Sequence, residues 1–469
     1  MLLRKLLSAA LPLGVALGMS ACGSDDASSP VVPPTPVPSS SSAVDPTTPT
    51  PVGPTPSAQA YGVLPTTANP VVAMGWYDQW KATYFKTYQE EAAKYPTAPV
   101  TMDWNAVFGP YLAAGLMPGR VVWDTNDDAY CLIEGATDSY KKRGCTVSEG
   151  IGYGMLLSFF ASDYNTLNSL WTYNRGYRTY LGTTNLMPWR TGTYSYESLA
   201  SAANTSSATD ADLDIATSLI LTYYATGVVE YLNDALLIVN DMWDKEISPT
   251  KLIYSGDTPT WKRETSAYNL SYFSPVALKL FAMVDPNPAH DWTGVLNTMY
   301  DFMLAVQAAG TGVFPDWVDY TGKAINPNNH SADKTYWMFH QESVRIPWRI
   351  AWDYYWTQDP RAAQVLNTLN AFIAGKTAGD PANLETAGKI QYSAVPGMED
   401  GLPNKNLLVH WQGAWCLTGM AGQQAWLDNC TAIFNTRTIS GFNYFPHILQ
   451  TMYGELLNGL FKKPAALNM

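Results

Sequence analysis

The segment from Ala208 to Thr226, ATDADLDIATSLILTYYAT, decides the structural class of the chain. Leu213, Ala216, Thr217 and Ile220 fall on one helical stripe, while Asp210 and Asp214, four apart, share another face. Helical patterning recurs around 75–94, 150–162, 230–246, 274–284, 291–308, 341–357, 360–374, 419–428 and 445–460, and strand-like alternation is rare. Long Gly/Asn/Thr-rich connections separate many of these helices, as around 181–209, 250–273 and 311–335. Ten or more helices in one domain predict an all-α toroid or solenoid. No repeat of roughly 34 or 40 residues is visible, which disfavours the common helical repeat arrays.

Of the 469 residues, 14% are charged and 13% aromatic. An average globular chain has roughly 25% charged residues. This balance predicts a large buried interior or an extended aromatic binding surface, and it excludes disorder throughout. A net charge of −12 with one short basic run, Lys141-Lys142-Arg143, argues against a nucleic-acid partner, because phosphate neutralisation needs a broad basic patch.

The first 21 residues carry Arg4 and Lys5, an apolar run from Leu6 to about Gly18, and then Met19-Ser20-Ala21-Cys22. This reads as a secretory signal, and the small residues before Cys22 resemble the lipobox of bacterial lipoproteins, although Met19 stands where Leu is usual. An ordinary signal peptide cleaved nearby is the alternative. The apolar run is shorter than the ~20 residues of a bilayer span. An extracytoplasmic protein, surface-anchored through Cys22 or secreted, is expected either way, with a lipid as its sole membrane contact. Residues 22–60 are dominated by Pro, Ser and Thr and read as a semi-extended tether. All 17 tryptophans follow residue 60, so residues 61–469 are expected to form one folded domain, acting as a monomer.

Four further cysteines, Cys131, Cys145, Cys416 and Cys430, form two pairs each 14 apart. In an oxidising compartment, bridges 131–145 and 416–430 are the simplest of three connectivities. A zinc site is the weaker reading, because C-x-x-C is missing and the five histidines show no ligand spacing. The Asp spacing at 210–214 mimics the opening of a calcium loop, but Ile215 and Leu221 occupy the positions that need Gly and Glu. No metal and no cofactor are expected.

Three stretches carry chemistry. In VSEGIGYGM (147–155), Ser148 is expected to cap a helix whose first turn holds Glu149, and three alternating glycines permit close approach of a backbone or ligand. It is not a nucleotide loop, since Glu stands where phosphate needs donors and the closing Lys-Ser/Thr is missing. The acidic helix start at 208–216 is the second, and QESVRIPWR (341–349), followed by Asp353-Tyr354-Tyr355-Trp356, the third. Carboxyl groups among aromatics, without metal ligands or a nucleophile–histidine arrangement, suit glycosidic-bond cleavage. One acid protonates the leaving oxygen while a second group activates water or attacks the sugar.

From about Trp76 to Trp356 the chain resembles glycoside hydrolase family 8. The stretches at 147–155 and 208–216, with Asn269-Leu270-Ser271-Tyr272-Phe273-Ser274-Pro275, Gly312-Val313-Phe314-Pro315-Asp316-Trp317 and Arg345 to Trp348, carry the resemblance. It implies an (α/α)6 barrel, an inverting mechanism and β-1,4-linked polysaccharide substrates. By position it makes Glu149 the general acid and Asp210 the residue that grips and distorts the sugar. It sets Arg345 near the base and Tyr272 beside it, and makes Trp189 and Trp261 sugar-stacking candidates, with core packing nearly as good a reading of the two tryptophans. Asp212 points away and reads as structural. The base is where the chain departs: many members have Tyr-Asp-Ala where this one has Gln341-Glu342-Ser343. Glu342 keeps the carboxylate on a longer arm and is taken as the base ahead of Asp316, Asp319 and Asp333. An endo-acting β-1,4-glucanase on cellulose-type or mixed-linkage glucan is expected first, then a xylanase, then a chitosanase. A carbohydrate-binding surface lipoprotein without the chemistry is the alternative of another class.

Overall fold

Inner helices of a closed ring are buried on nearly every side, whereas outer helices bury one stripe. That distinction sorts the elements of this protein. The computed structural model describes residues 61–94, 104–123, 146–182, 184–191, 206–258, 267–326, 335–439 and 444–469. Cys22, Cys131, Cys145, Trp261 and Asp333 lie outside them.

The first stretch contains α1 (Pro70–Tyr84), β1 (Phe85–Thr87), α2 (Tyr88–Lys94), α3 (Trp104–Ala113) and β2 (Gly119–Val121). Next come β3 (Thr146–Val147), α4 (Ser148–Phe160), α5 (Tyr164–Leu181), β4 (Arg190–Thr191), α6 (Thr209–Thr226) and α7 (Val229–Glu246). They are followed by α8 (Pro275–Val284), α9 (Trp292–Ala309), α10 (Ile346–Thr357) and α11 (Pro360–Thr377). The last are α12 (Leu384–Ala387), α13 (Val409–Leu417), α14 (Gln424–Phe434) and α15 (Tyr444–Leu457).

Helices α4, α6, α8, α10, α13 and α15 pack in that order into a ring that closes from α15 back onto α4. Nearly every residue of α4, α10, α13 and α15 is buried, as is α6 from Thr209 to Thr222. Outside them lie α5, α7, α9, α11 and α14, each against its sequence neighbour, while α1 packs on α15. In α7 the buried positions Tyr231, Asp234, Ala235, Ile238, Val239 and Met242 trace the single stripe of an outer helix. Among the described residues, six inner and six outer helices make the (α/α)6 barrel that the family resemblance implied.

The aromatic excess fills this barrel. Trp348, Trp352 and Trp356, spaced one turn apart on α10, are each at most 1% exposed. Glycine sets the fit of two inner helices: a Cβ on Gly152 would lie 3.0 Å from the Ala211 carbonyl oxygen and 3.0 Å from Cβ of Asp214. The bare backbone there lets α4 press against α6 and brings Glu149 toward Asp210, although glycine costs a helix about 1 kcal/mol.

The disulfide Cys416–Cys430 joins α13 to α14 across a Cα–Cα distance of 5.2 Å. Local expectations fare unevenly. The helix expected over 75–94 is interrupted by β1, which pairs antiparallel with β2 through Phe85↔Val121 and Lys86↔Arg120. Helices α3, α5, α12 and α13 are additional to those read from periodicity. Helix α5 is rich in Asn, Thr and Tyr, weak helix formers, and is bounded instead by the Asp163 cap and by Gly182 at φ 63°.

Candidate active site

The N-terminal ends of the inner helices meet at one end of the barrel, and several deliver a polar side chain there. Glu149 and Asp210 lie in the first turns of α4 and α6. A 3-10 turn ending at Tyr272 leads into α8, and another, Ser343–Arg345, leads into α10. Tyr444 opens α15.

Arg345, 2% exposed, is the hub. Its Nη1 donates to Glu149 and, at 2.9 Å, to Asp210 Oδ2, while its Nη2 donates to Glu342. Nη1 also lies 3.3 Å from the Tyr153 hydroxyl, and the guanidinium carbon is 5.5 Å from the centroid of the Tyr272 ring. One turn deeper the pairing repeats, with Arg349 donating to both oxygens of Asp214 at 2.7 and 2.8 Å. Asp210 and Asp214 share a face, as the spacing predicts, and they meet Arg345 and Arg349 at the matching spacing on the facing element. This ladder crosses the barrel interior and keeps its buried charges paired.

Three carboxyl groups therefore converge on one guanidinium. Burial is the largest influence on Glu149 and drives its pKa upward; Arg345 opposes it, Asp210 reinforces it, and a hydrogen bond from the Tyr444 hydroxyl opposes it. The outcome is a carboxyl pushed up to about 7, which carries a proton over part of the neutral range despite its place at a helix N-terminus. Glu342 is also raised, chiefly by burial, with Arg345 opposing and the charge of Asp316 adding to it. The side chain of Asn269 donates to Glu342 Oε2 at 2.5 Å, while its Oδ1 caps the turn that carries Tyr272 through the Ser271 N–H at 3.0 Å. The side chains of Glu149 and Glu342 are 16% and 28% exposed against 1% for Asp210, so the pair faces solvent over a buried floor.

The structure thus assembles Glu149, Asp210, Tyr272, Glu342 and Arg345. Trp189 stands beside them: its carbonyl accepts the Ser148 N–H at 2.9 Å, and its ring is half-buried under the Arg190 guanidinium, 4.8 Å from the centroid. Ser148 does not cap α4. The pairing of β3 with β4 makes Val147 the cap position, draws Ser148 into the helix and satisfies its N–H from Trp189. Asp212 turns away from Arg345, accepts the Met187 N–H at 3.0 Å and faces Glu246, which takes the Ser207 hydroxyl at 2.5 Å. Burial drives Asp212 well above the usual carboxyl range and Glu246 up to about 8. Of the alternative bases, Asp319 is tied into an exposed turn by Thr321 and Lys323, and Asp316 is buried. Periodicity and motif reading missed Tyr444 and Asn269. Asn269 lay in a quoted motif, whereas Tyr444 has no local signature at all.

The chain is similar to known proteins along most of its length. A model of the glycosyl hydrolases family 8 matches residues 99–394. A β-glucanase of Niallia circulans is 28% identical over 354 residues, 69% of this chain and 84% of the relative. Endoglucanase C of Ruminiclostridium cellulolyticum is 30% identical over 232 residues, and the match spans about half of each chain, 49% and 47%. Among solved structures, a β-1,3-1,4-glucanase from Paenibacillus sp. X4 superposes with a TM-score of 0.62 at 21% identity, covering 86% of this chain and 96% of its own. Rex8A from Paenibacillus barcinonensis, solved with xylose, does so with a TM-score of 0.58 at 16% identity, covering 84% and 95%. With the family model spanning more than half the chain and the fold agreeing, this protein belongs to the glycosyl hydrolases family 8.

Proposed function

We propose that this family 8 hydrolase is an endo-acting β-1,4-glucanase, cleaving cellulose-type or mixed-linkage glucan with inversion, with xylan second and chitosan third. The observation that carries the reading is the Arg345 hub, which gathers Glu149, Asp210 and Glu342 at a buried site where burial, against the pull of Arg345, pushes the Glu149 carboxyl up to about 7. Glu149 gives its proton to the glycosidic oxygen as the C–O bond breaks. Glu342 takes a proton from the water that attacks the opposite face of C1. Arg345 and Asn269 hold that carboxylate, and Asp210 binds the sugar at the cleavage point. Trp189, with Trp261, supplies stacking surface. The glucanase names of the β-glucanase and endoglucanase relatives support glucan over xylan.

The localisation follows the same reading. Residues 22–60 act as a tether from a lipidated Cys22, and the folded domain works as an extracytoplasmic monomer. Cys22→Ser should release the protein from membranes or block its maturation. Native protein that is wholly soluble and starts at another residue would refute the anchor.

Reducing-sugar release from lichenan, carboxymethylcellulose, xylan and chitosan, measured side by side, tests the substrate. Glucans should be cut fastest, with a rapid fall in viscosity. Glu149→Gln should lower turnover by about 10²–10⁴-fold, since the amide keeps the shape but carries no transferable proton. Binding of oligosaccharide without hydrolysis by the unaltered protein would identify it instead as a binding lipoprotein.

A further inference from the structure

We infer that Asp316 is the positioning residue of the base: it clamps the turn that carries Glu342. The inference rests on the reading of Glu342 as the base. Asp316 is 4% exposed. Its Oδ1 accepts the N–H groups of His340 at 3.2 Å, Glu342 at 3.1 Å and Ser343 at 2.9 Å, together with the Ser343 hydroxyl at 2.8 Å. Its Oδ2 faces Nδ1 of His340 at 3.5 Å. The Asp316 N–H in turn donates to the Met338 carbonyl at 3.1 Å, and Trp317 donates to Tyr336 at 3.2 Å, so the two segments are laced together on both sides of the clamp.

A short helix leaves its first N–H groups without partners, and an Asp usually satisfies them as the local cap. Here the cap position is Glu342 itself, and its side chain makes no capping bond. Asp316, from 24 to 27 residues upstream, does that work instead. The consequence is chemical. Glu342 is released from capping and reaches Arg345 and Asn269 with its carboxyl. A Glu carries one more side-chain torsion than the Asp of many relatives, so its carboxyl is placed only if its backbone is pinned. The clamp supplies the pin. Asp316 is thereby a poor base itself: one oxygen is saturated by four donors, and the other is turned to His340.

Two variants separate the clamp from its charge. Asp316→Ala removes both, while Asp316→Asn keeps a carbonyl oxygen for the amides and removes the charge beside Glu342. The groups facing Glu342 are Arg345 and Asn269, with Asp316, Asp210 and Glu149 as neighbouring carboxyl groups and Tyr272 as a neighbouring phenol, and His340 faces Asp316. In Asp316→Ala, kcat on lichenan should fall about 10²-fold, the cost of roughly 1 Å of misplacement, with oligosaccharide affinity within twofold of the unaltered protein. Azide should not restore it, because Glu342 still occupies the water's face. Asp316→Asn should retain more activity than Asp316→Ala, and the acidic limb of its kcat/KM profile should move to lower pH. An Asp316→Ala protein with full kcat overturns the clamp, and the base reading survives if Glu342→Ala is inactive. Azide revival of Asp316→Ala but not of Glu342→Ala would make Asp316 the base and overturn both. If Asp316→Ala does not fold, Asp316→Asn decides: its uncharged and weaker acceptor should lower kcat with oligosaccharide affinity within twofold, and a full kcat overturns the inference.

Discussion

Tyr444→Phe isolates one hydrogen bond on Glu149, the proposed acid. The phenol donates to Glu149 Oε1, a bond that favours the carboxylate and pulls the pKa down against the upward drive of burial. The ring itself packs on Trp123 at a centroid distance of 5.0 Å and lies over Gly150, so removing the oxygen alone leaves that packing in place. A hydrogen bond to a charged group is worth about 1.5–3 kcal/mol, and one pKa unit corresponds to about 1.4 kcal/mol. Losing the bond should therefore raise the Glu149 pKa from about 7 by roughly one to two units. The acid must hold its proton to act, so kcat/KM falls as pH rises through that value. In the unaltered protein the alkaline limb should lie near 7, and in Tyr444→Phe it should lie one to two units higher, leaving the variant the relatively more active at pH 8. Hydrolysis of lichenan from pH 4 to 10, with circular dichroism at each end, measures it. An alkaline limb that stays put, or moves down, would refute the assignment of Glu149 as the acid tuned by Tyr444.

Glu342→Ala should abolish turnover even of an aryl oligosaccharide that needs no acid, and azide should then restore it with an inverted glycosyl azide. Glu342→Asp, which returns the residue usual in the family, should keep part of the activity, and near-normal turnover by the Ala variant would remove Glu342 from the reaction. Glu246 is raised in the folded state from 4.5 to about 8, so its contribution to stability is full below about pH 4.5 and is lost as pH rises toward 8. Glu246→Gln should flatten the decline of urea-unfolding stability across that window; an unchanged slope would show that the carboxyl is not held protonated.

Much of the site was legible because its motifs are local. Glu149, Asp210 and Arg345 stand at helix starts, where a short stretch specifies both the turn and the residue that it presents. Glu342 was found through its register with Arg345, three residues away, and that spacing survives in the structure as an ion pair. Cys416 and Cys430 are joined as their spacing suggested. Other features were out of reach for a common reason. Tyr444 meets Glu149 across 295 residues, and Asn269 meets Glu342 across 73, distances over which no periodicity extends.

By itself the sequence determined the helical class, the family and the order in which the carboxyl groups enter the site. Those properties follow from short-range patterns: spacing along a helix, a cap or Gly at its end, a motif within one turn. The tertiary structure decided which helices are inner and which outer, because burial on every side comes from the neighbouring helices and not from a helix's own pattern: the inner α6 carries an acidic face that periodicity reads like that of an outer helix. It also decided protonation. Glu149 sits where the helix N-terminus and Arg345 favour the carboxylate, and only the closing of six helices around it makes burial the larger influence.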